Sequence, residues 1–208
     1  MVVSEQFLWL HIPKTAGDAT LLMFRQLDHP WRLIDPHTDP RKHSTLAEAY
    51  ERVPGARELR VIANLRRLPD VALSYFHHMQ RHSPDERFAN GRAFGELSFR
   101  EYIRGVVERP DTQSYDWILN HYLGDRDADH WLRVSSLAQS FIEVIGAYVP
   151  ISDAALGRIG AISANVGTYA KEDQWYEPGV LTQLYANCPR WADTERKVYG
   201  DILREHAA

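Results

Sequence analysis

Phe7-Leu8-Trp9-Leu10 is an unbroken apolar run, the pattern of a strand buried on both faces in a parallel sheet. A turn holding Pro13, Lys14, Thr15 and Gly17 interrupts it, and the run Ala19-Thr20-Leu21-Leu22-Met23-Phe24 then reads as a helix. His29 to Lys42, with Pro30, Pro36 and Pro40, reads as loop. Thr45 and Glu48 have the spacing of a capping box, with Leu46, Ala49, Tyr50 and Val53 on the apolar side of the helix they open and Pro54-Gly55 at its end. Arg60 to Leu65 is the second core strand, and Pro69 suits the first turn of the helix that follows.

Ser83 to Leu97 is polar, with Pro84, Gly91 and Gly95, and has the length of a lid or mobile loop. Ser98 and Glu101 form a second capping box, opening a helix to about Arg109 that Pro110 stops. Trp131 to Val134 is the third core strand, and Ser136 and Gln139 predict a third capping box with a helix to about Gly146. Ile151 to Ile162 is a short helix, and Pro178 and Pro189 each start another. Strands alternating with helices imply an α/β protein: a central parallel sheet of about four strands flanked by helices in three layers.

The 208 residues fit a single domain, and no internal repeat or low-complexity tract divides them. A formal charge of −4 argues against a broad electropositive surface for nucleic acid, while leaving room for a local basic pocket. The single cysteine, Cys188, excludes an internal disulfide and fits a reducing compartment. No apolar stretch reaches membrane-spanning length, and the N-terminus lacks the basic-then-apolar pattern of a secretory leader. A cytoplasmic protein is the expectation. Met1 lies so close to the first strand that a complete small protein is expected rather than an excised catalytic domain.

Strand, small-residue turn and helix form a ready anion site. The first amides of the helix have no partners within it, and Lys14 adds a positive charge beside them. The ordinary triphosphate loop, G-x-x-x-x-G-K-[ST], does not fit, because here the lysine precedes the glycine. The string His11-Ile12-Pro13-Lys14-Thr15-Ala16-Gly17 instead resembles the 5′-phosphosulfate loop of sulfotransferases, particularly the carbohydrate-type branch. A second segment is similar to that family's 3′-phosphate signature: Arg66, then Pro69, then Ser74 eight positions after the arginine, followed by Tyr75 and Phe76. Pro69 stands one place later than usual. A guanidinium suits a phosphate monoester because it gives two parallel hydrogen bonds, and a serine hydroxyl completes the cage.

The resemblance spans almost the whole chain and implies a P-loop-like fold. It implies 3′-phosphoadenosine 5′-phosphosulfate (PAPS) as donor and adenosine 3′,5′-bisphosphate as product, with sulfuryl transfer to a hydroxyl of a glycan, lipid or small metabolite and no metal. Lys14, Thr15, Ala16, Gly17, Asp18, Ala19 and Thr20 would then bind the 5′ end, and Arg66 and Ser74 the 3′-phosphate. Lys171, in a segment similar to the family's closing loop, would be a further contact. Lys14 would also stabilise the leaving group. His43, at the place where relatives carry Lys-His before a hydroxyl residue, is the candidate base, with His11, Glu48, His77 and His78 as rivals. Gln113, Tyr115 and Trp117 would line the acceptor side, though Trp117 and Ile118 equally suit a core.

Two departures matter. The family's hydroxyl residues after the glycine are replaced by Asp18 and Ala19, and its glutamate after the third strand falls on Ser135. A carboxylate at Asp18 either caps the helix or repels the donor. These positions leave open a binding module of the same fold that has lost its chemistry. A P-loop small-molecule kinase is a third reading, which lacks its acidic magnesium ligand because the second strand ends Asn64-Leu65-Arg66. His78 and His82 share a helix face, without a third metal ligand at a convincing spacing. Acceptor identity and oligomeric state are not legible.

Overall fold

The computed structural model describes residues 1–35, 43–88, 91–110, 114–162 and 176–203. In chain order the elements are β1 (Val2–Val3), β2 (Phe7–Leu10), α1 (Gly17–Phe24), β3 (Arg32–Leu33), α2 (Leu46–Arg52), β4 (Arg60–Leu65), α3 (Leu68–His82), α4 (Phe99–Val107), α5 (Asp116–Leu123), β5 (His130–Arg133), α6 (Leu137–Gly146), α7 (Asp153–Gly160), α8 (Pro178–Ala186) and α9 (Pro189–Tyr199). The chain divides into two compact units, Met1–Arg66 with Ile118–Val166, and Arg67–Trp117 with Gly167–Ala208. No helix among the described residues is long and apolar enough to cross a membrane.

The first unit is built on a five-stranded sheet in the order β3-β1-β2-β4-β5. The expected parallel sheet is corrected to a mixed one. β2, β4 and β5 are parallel, while the two-residue strands β1 and β3 pair antiparallel at one edge. Val2-Val3 turns back onto β2 within three residues, and the Ser4 hydroxyl accepts the amides of Gln6 at 3.2 Å and Phe7 at 3.1 Å. Strands of two residues leave no periodicity to read.

Register sorts the side chains. Trp9 lies opposite Ile62, and Asn64 opposite Leu132, so Phe7, Trp9, Ile62, Asn64 and Leu132 share a face. That face packs against Leu21, Met23 and Phe24 of α1, Phe141 and Ile145 of α6, and Ile159 of α7. Phe24 is the hub: its ring centroid is 4.9 Å from Phe141, 5.4 Å from Trp9 and 6.0 Å from Phe7. Leu8, Leu10, Val61, Ala63 and Leu65, on the opposite face, are also buried. The Thr45–Glu48 capping box forms at the start of α2. The box expected from Ser136 does not: Val134–Ser136 is a 3₁₀ turn, and the nearby Ser140 hydroxyl accepts the Arg133 amide at 3.0 Å.

The second unit surrounds an aromatic cluster. Tyr102 packs against Phe76 and Phe88, each at 5.1 Å, and bonds through its hydroxyl to Tyr115. Burial pushes both phenols well above their usual range. The segment read as a lid is anchored where it is described. Phe88 and Phe94 are buried, and their amides bond to Arg92 and Glu86 carbonyls at 2.8 and 3.0 Å. Two buried carboxylates cap helices from a distance. Glu195 accepts the Leu68 amide at 2.9 Å, Arg67 Nη1 at 3.1 Å and the Tyr185 hydroxyl at 2.8 Å. Asp116 accepts the amides of Arg190 and Trp191 at 2.8 and 2.7 Å. The Ser98–Glu101 capping box also forms.

Phe24→Ala should lower the stability of the first unit by about 3–5 kcal/mol, read as a shift in denaturant midpoint. Hydrogen bonds from the Ser98 amide first, and then from Arg92, hold the Glu101 carboxyl down at about 2, against an ordinary 4.5. Its folded pKa is depressed. Its contribution to stability is therefore complete above the unfolded value and is lost as pH falls through about 2. Carboxyl-detected NMR should find the Glu101 midpoint near 2, and a midpoint near 4.5 would contradict the bonding seen here.

Candidate functional site

The chain leaves β2 at Leu10 and enters α1 at Gly17 through a tight turn. Lys14 has φ 66° and Ala16 has φ 63°, both left-handed and neither glycine. Each costs on the order of 1–2 kcal/mol and persists only where its surroundings hold it. The holder is Asn64, from the neighbouring strand β4 and 1% exposed. Its Nδ2 donates to the Thr15 carbonyl and to Thr20 Oγ1, both at 2.7 Å, and its Oδ1 accepts Trp9 Nε1 at 2.9 Å. Thr15 Oγ1 donates to the Ile12 carbonyl at 2.7 Å, and Thr20 Oγ1 donates to the Ala16 carbonyl at 3.1 Å.

Gly17 is demanded by a close approach rather than by its dihedrals. The His11 imidazole lies over it, and a Cβ there would fall 1.8 Å from His11 Nε2. The His11 ring stacks on Trp9 at 5.4 Å and meets the His43 ring edge-on at 4.4 Å. His43 Nδ1 is 3.1 Å from the His11 carbonyl. A carbonyl only accepts, so Nδ1 carries the proton and Nε2 is the basic atom of the neutral ring. Arg66, immediately after β4, brings Nη1 to 3.4 Å from the Lys14 carbonyl. The first unit thus gathers Lys14, Arg66, His11 and His43 around one turn.

The side chains around the turn have the following partners. The Thr15 and Thr20 hydroxyls are bonded inside the fold, and the Thr20 amide donates to the Ala16 carbonyl at 3.1 Å. Neither side chain is available to grip a phosphate. Helix geometry leaves the amides of Gly17, Asp18 and Ala19 without carbonyls of their own helix. Asp18 does not cap α1. The N-cap is Ala16, with no side-chain bond, and Asp18 sits in the first turn, where the helix dipole favours a carboxylate. Glu48 is committed to the amide of Thr45 at 2.7 Å, which weakens it as a rival base. Ser135 stands exposed in the 3₁₀ turn after β5.

In the second unit Ser74 is buried on α3, and His78 and His82 contact each other at 4.6 Å on its last turn. Tyr115 is 3% exposed, with its hydroxyl shared with Tyr102, so its ring offers no face to an acceptor. Trp117, whose pattern equally suited a core, is 48% exposed. Gln113 and Lys171 lie outside the described residues. A cleft of about 720 Å³ in the first unit opens at the opposite end of the sheet, beside Gln6, Arg32, Glu58 and Arg60. Asn64 carries the turn yet belongs to no motif. Its one signal in the sequence is a lone amide within an otherwise apolar strand interior.

Asn64→Ala removes three buried bonds and leaves Trp9 Nε1 and the Thr15 carbonyl without them. It should destabilise the protein by about 2–4 kcal/mol in denaturant titration. Gly17→Ala should cost about 1–3 kcal/mol, because the His11 ring must move. Stability unchanged in both would show that the turn does not depend on these contacts. The chain matches no model of a known protein family, no curated protein and no solved structure.

Proposed function

We propose that the β2–α1 turn binds the phosphosulfate end of PAPS and that the chain transfers its sulfuryl group to an acceptor hydroxyl. One observation carries this reading: a strained turn at a helix N-terminus is held from below by Asn64, with Lys14 in it and the Arg66 guanidinium against its backbone. Backbone strain held at such a point is typical of ligand sites. The mixed sheet with parallel β2, β4 and β5 is compatible with a P-loop-like three-layer fold. A cytoplasmic location accords with Cys188, a single buried thiol that burial pushes up to about 11.

In this reading the bond from sulfur to the bridging phosphate oxygen breaks as the acceptor oxygen attacks in line. Lys14 and the amides of Gly17, Asp18 and Ala19 stabilise the charge that develops on the leaving oxygen. His43 Nε2 takes the acceptor proton, and adenosine 3′,5′-bisphosphate leaves. The acceptor is a hydroxyl of a glycan, lipid or small metabolite. A second reading, a nucleotide-binding module without turnover, is favoured by the Asp18 carboxylate in the first turn and the inward Thr15 and Thr20 hydroxyls.

Adenosine 3′,5′-bisphosphate should raise the melting temperature, by the equivalent of about 2.7 kcal/mol at a hundredfold excess over Kd, while magnesium-ATP should not. Arg66→Ala and Lys14→Ala should each weaken that binding roughly tenfold to a hundredfold. Stabilisation by magnesium-ATP without a response to the bisphosphate would replace this reading with a kinase. Bisphosphate binding without sulfuryl transfer from PAPS to any hydroxyl tried would favour the inactive module.

A further inference from the structure

We propose that Asp35 is a positioning residue for His43, acting through Ser44. This rests on the reading of His43 as the base. Asp35 is 4% exposed and Ser44 3% exposed, nine positions apart in sequence. Asp35 Oδ1 accepts the Ser44 hydroxyl at 2.7 Å and Arg52 Nη1 at 3.0 Å. Arg52 Nη1 also donates to Ser44 Oγ at 2.6 Å, and Nη2 donates to the Ile34 carbonyl at 3.1 Å. The Met1 ammonium is 3.3 Å from the other Asp35 oxygen. The Ser44 hydroxyl therefore donates to a carboxylate and accepts from a guanidinium at once.

The residue after Ser44 is held as well. Thr45 is the N-cap of α2, and its capping box with Glu48 satisfies that helix start without any help from Asp35. The buried carboxylate is thus not needed to begin α2. Burying a carboxylate is unfavourable unless it is paired and hydrogen-bonded, and here Asp35 and its partner Arg52 both bond the Ser44 hydroxyl, on the residue beside His43. At the other end, the His43 ring is set by the bond from Nδ1 to the His11 carbonyl and by its edge contact with the His11 ring. Tyr122 lies beyond it, with ring centroids 6.5 Å apart. Asp35 holds the Ser44 side chain next to His43 and the His11 carbonyl receives the ring, so the tautomer with basic Nε2 is selected. His11 is also the residue whose ring covers Gly17 at the turn. The brace therefore ties the proton acceptor to the anion turn through a single residue.

The test is the tautomer of His43, read from two-bond proton–nitrogen correlations in protein labelled at histidine nitrogen. The parent should show His43 as one Nδ1-protonated form. Asp35→Asn and Ser44→Ala should each lose that signature and give exchanging tautomers. His130 at the far end of the sheet, bonded through Nε2 to the Tyr148 hydroxyl at 2.7 Å, should keep its parent pattern. That control separates a local loss of orientation from general loosening. If Asp35→Asn does not fold, Ser44→Ala decides alone, since Asp35 keeps its bond to Arg52. A folded Ser44→Ala protein with the parent His43 signature would overturn the proposal. Binding of adenosine 3′,5′-bisphosphate, followed in the same samples, should change less than about threefold, because Asn64 holds the turn independently. Absence of that binding in the parent would defeat the sulfuryl-transfer reading and leave the tautomer result to judge the brace by itself.

Discussion

A primary amide inside a sheet must find partners for both its hydrogens and its oxygen, or it destabilises the fold it sits in. Asn64 finds them in Trp9, Thr15 and Thr20, which belong to the adjacent strand, the turn and the first helix. That requirement ties a contiguous strand, turn and helix to a residue 44 to 55 positions further along the chain. The turn can hold two left-handed residues that are not glycine because the Thr15 carbonyl between them is fastened to Asn64 of β4. Arg66 directly follows the strand that carries Asn64, and its guanidinium meets the Lys14 carbonyl of the same turn.

The site has a rigid floor and polar groups of different kinds above it. Trp9, His11 and Gly17 stack with no room for an added methyl group, so the helix N-terminus has a defined position relative to β2. His43 joins this stack through a backbone carbonyl rather than a carboxylate, which leaves the ring oriented without an adjacent negative charge from that partner. In the proposed transferase a base so placed would suit an anionic donor better than one paired with an acid. Asp18 remains the group least suited to that chemistry, and it is the residue on which the proposed transferase and the inactive module differ most.

Both units use buried carboxylates as long-range fasteners. Asp35 links the stretch before α2 to Ser44 and Arg52, Glu195 receives the start of α3, and Asp116 receives the start of α9. In each case the oxygens meet several donors, which offsets the desolvation that would otherwise keep a carboxylate at the surface. Burial raises the pKa of Glu195 and Asp116 in spite of those bonds, so desolvation is the larger influence at both.

The local patterns were legible from the residues alone. The apolar run at Phe7–Leu10, the strand at Arg60–Leu65 and the capping boxes at Thr45–Glu48 and Ser98–Glu101 all form, because each depends on neighbours within a few positions. The glycine at position 17 and the lysine three positions before it were visible as a turn at a helix start. Register and burial were not legible. Sheet pairing decides that Asn64 stands under Thr15 and that the Thr15 and Thr20 hydroxyls turn inward, and tertiary packing decides that Ser44 meets Asp35. Packing decides that Tyr115 is enclosed while Trp117, two residues on, is exposed. An amino acid carries its own hydrogen-bonding groups and its preference for helix, strand or turn. Which partner satisfies those groups depends on segments brought together by folding, and only the tertiary structure supplies that.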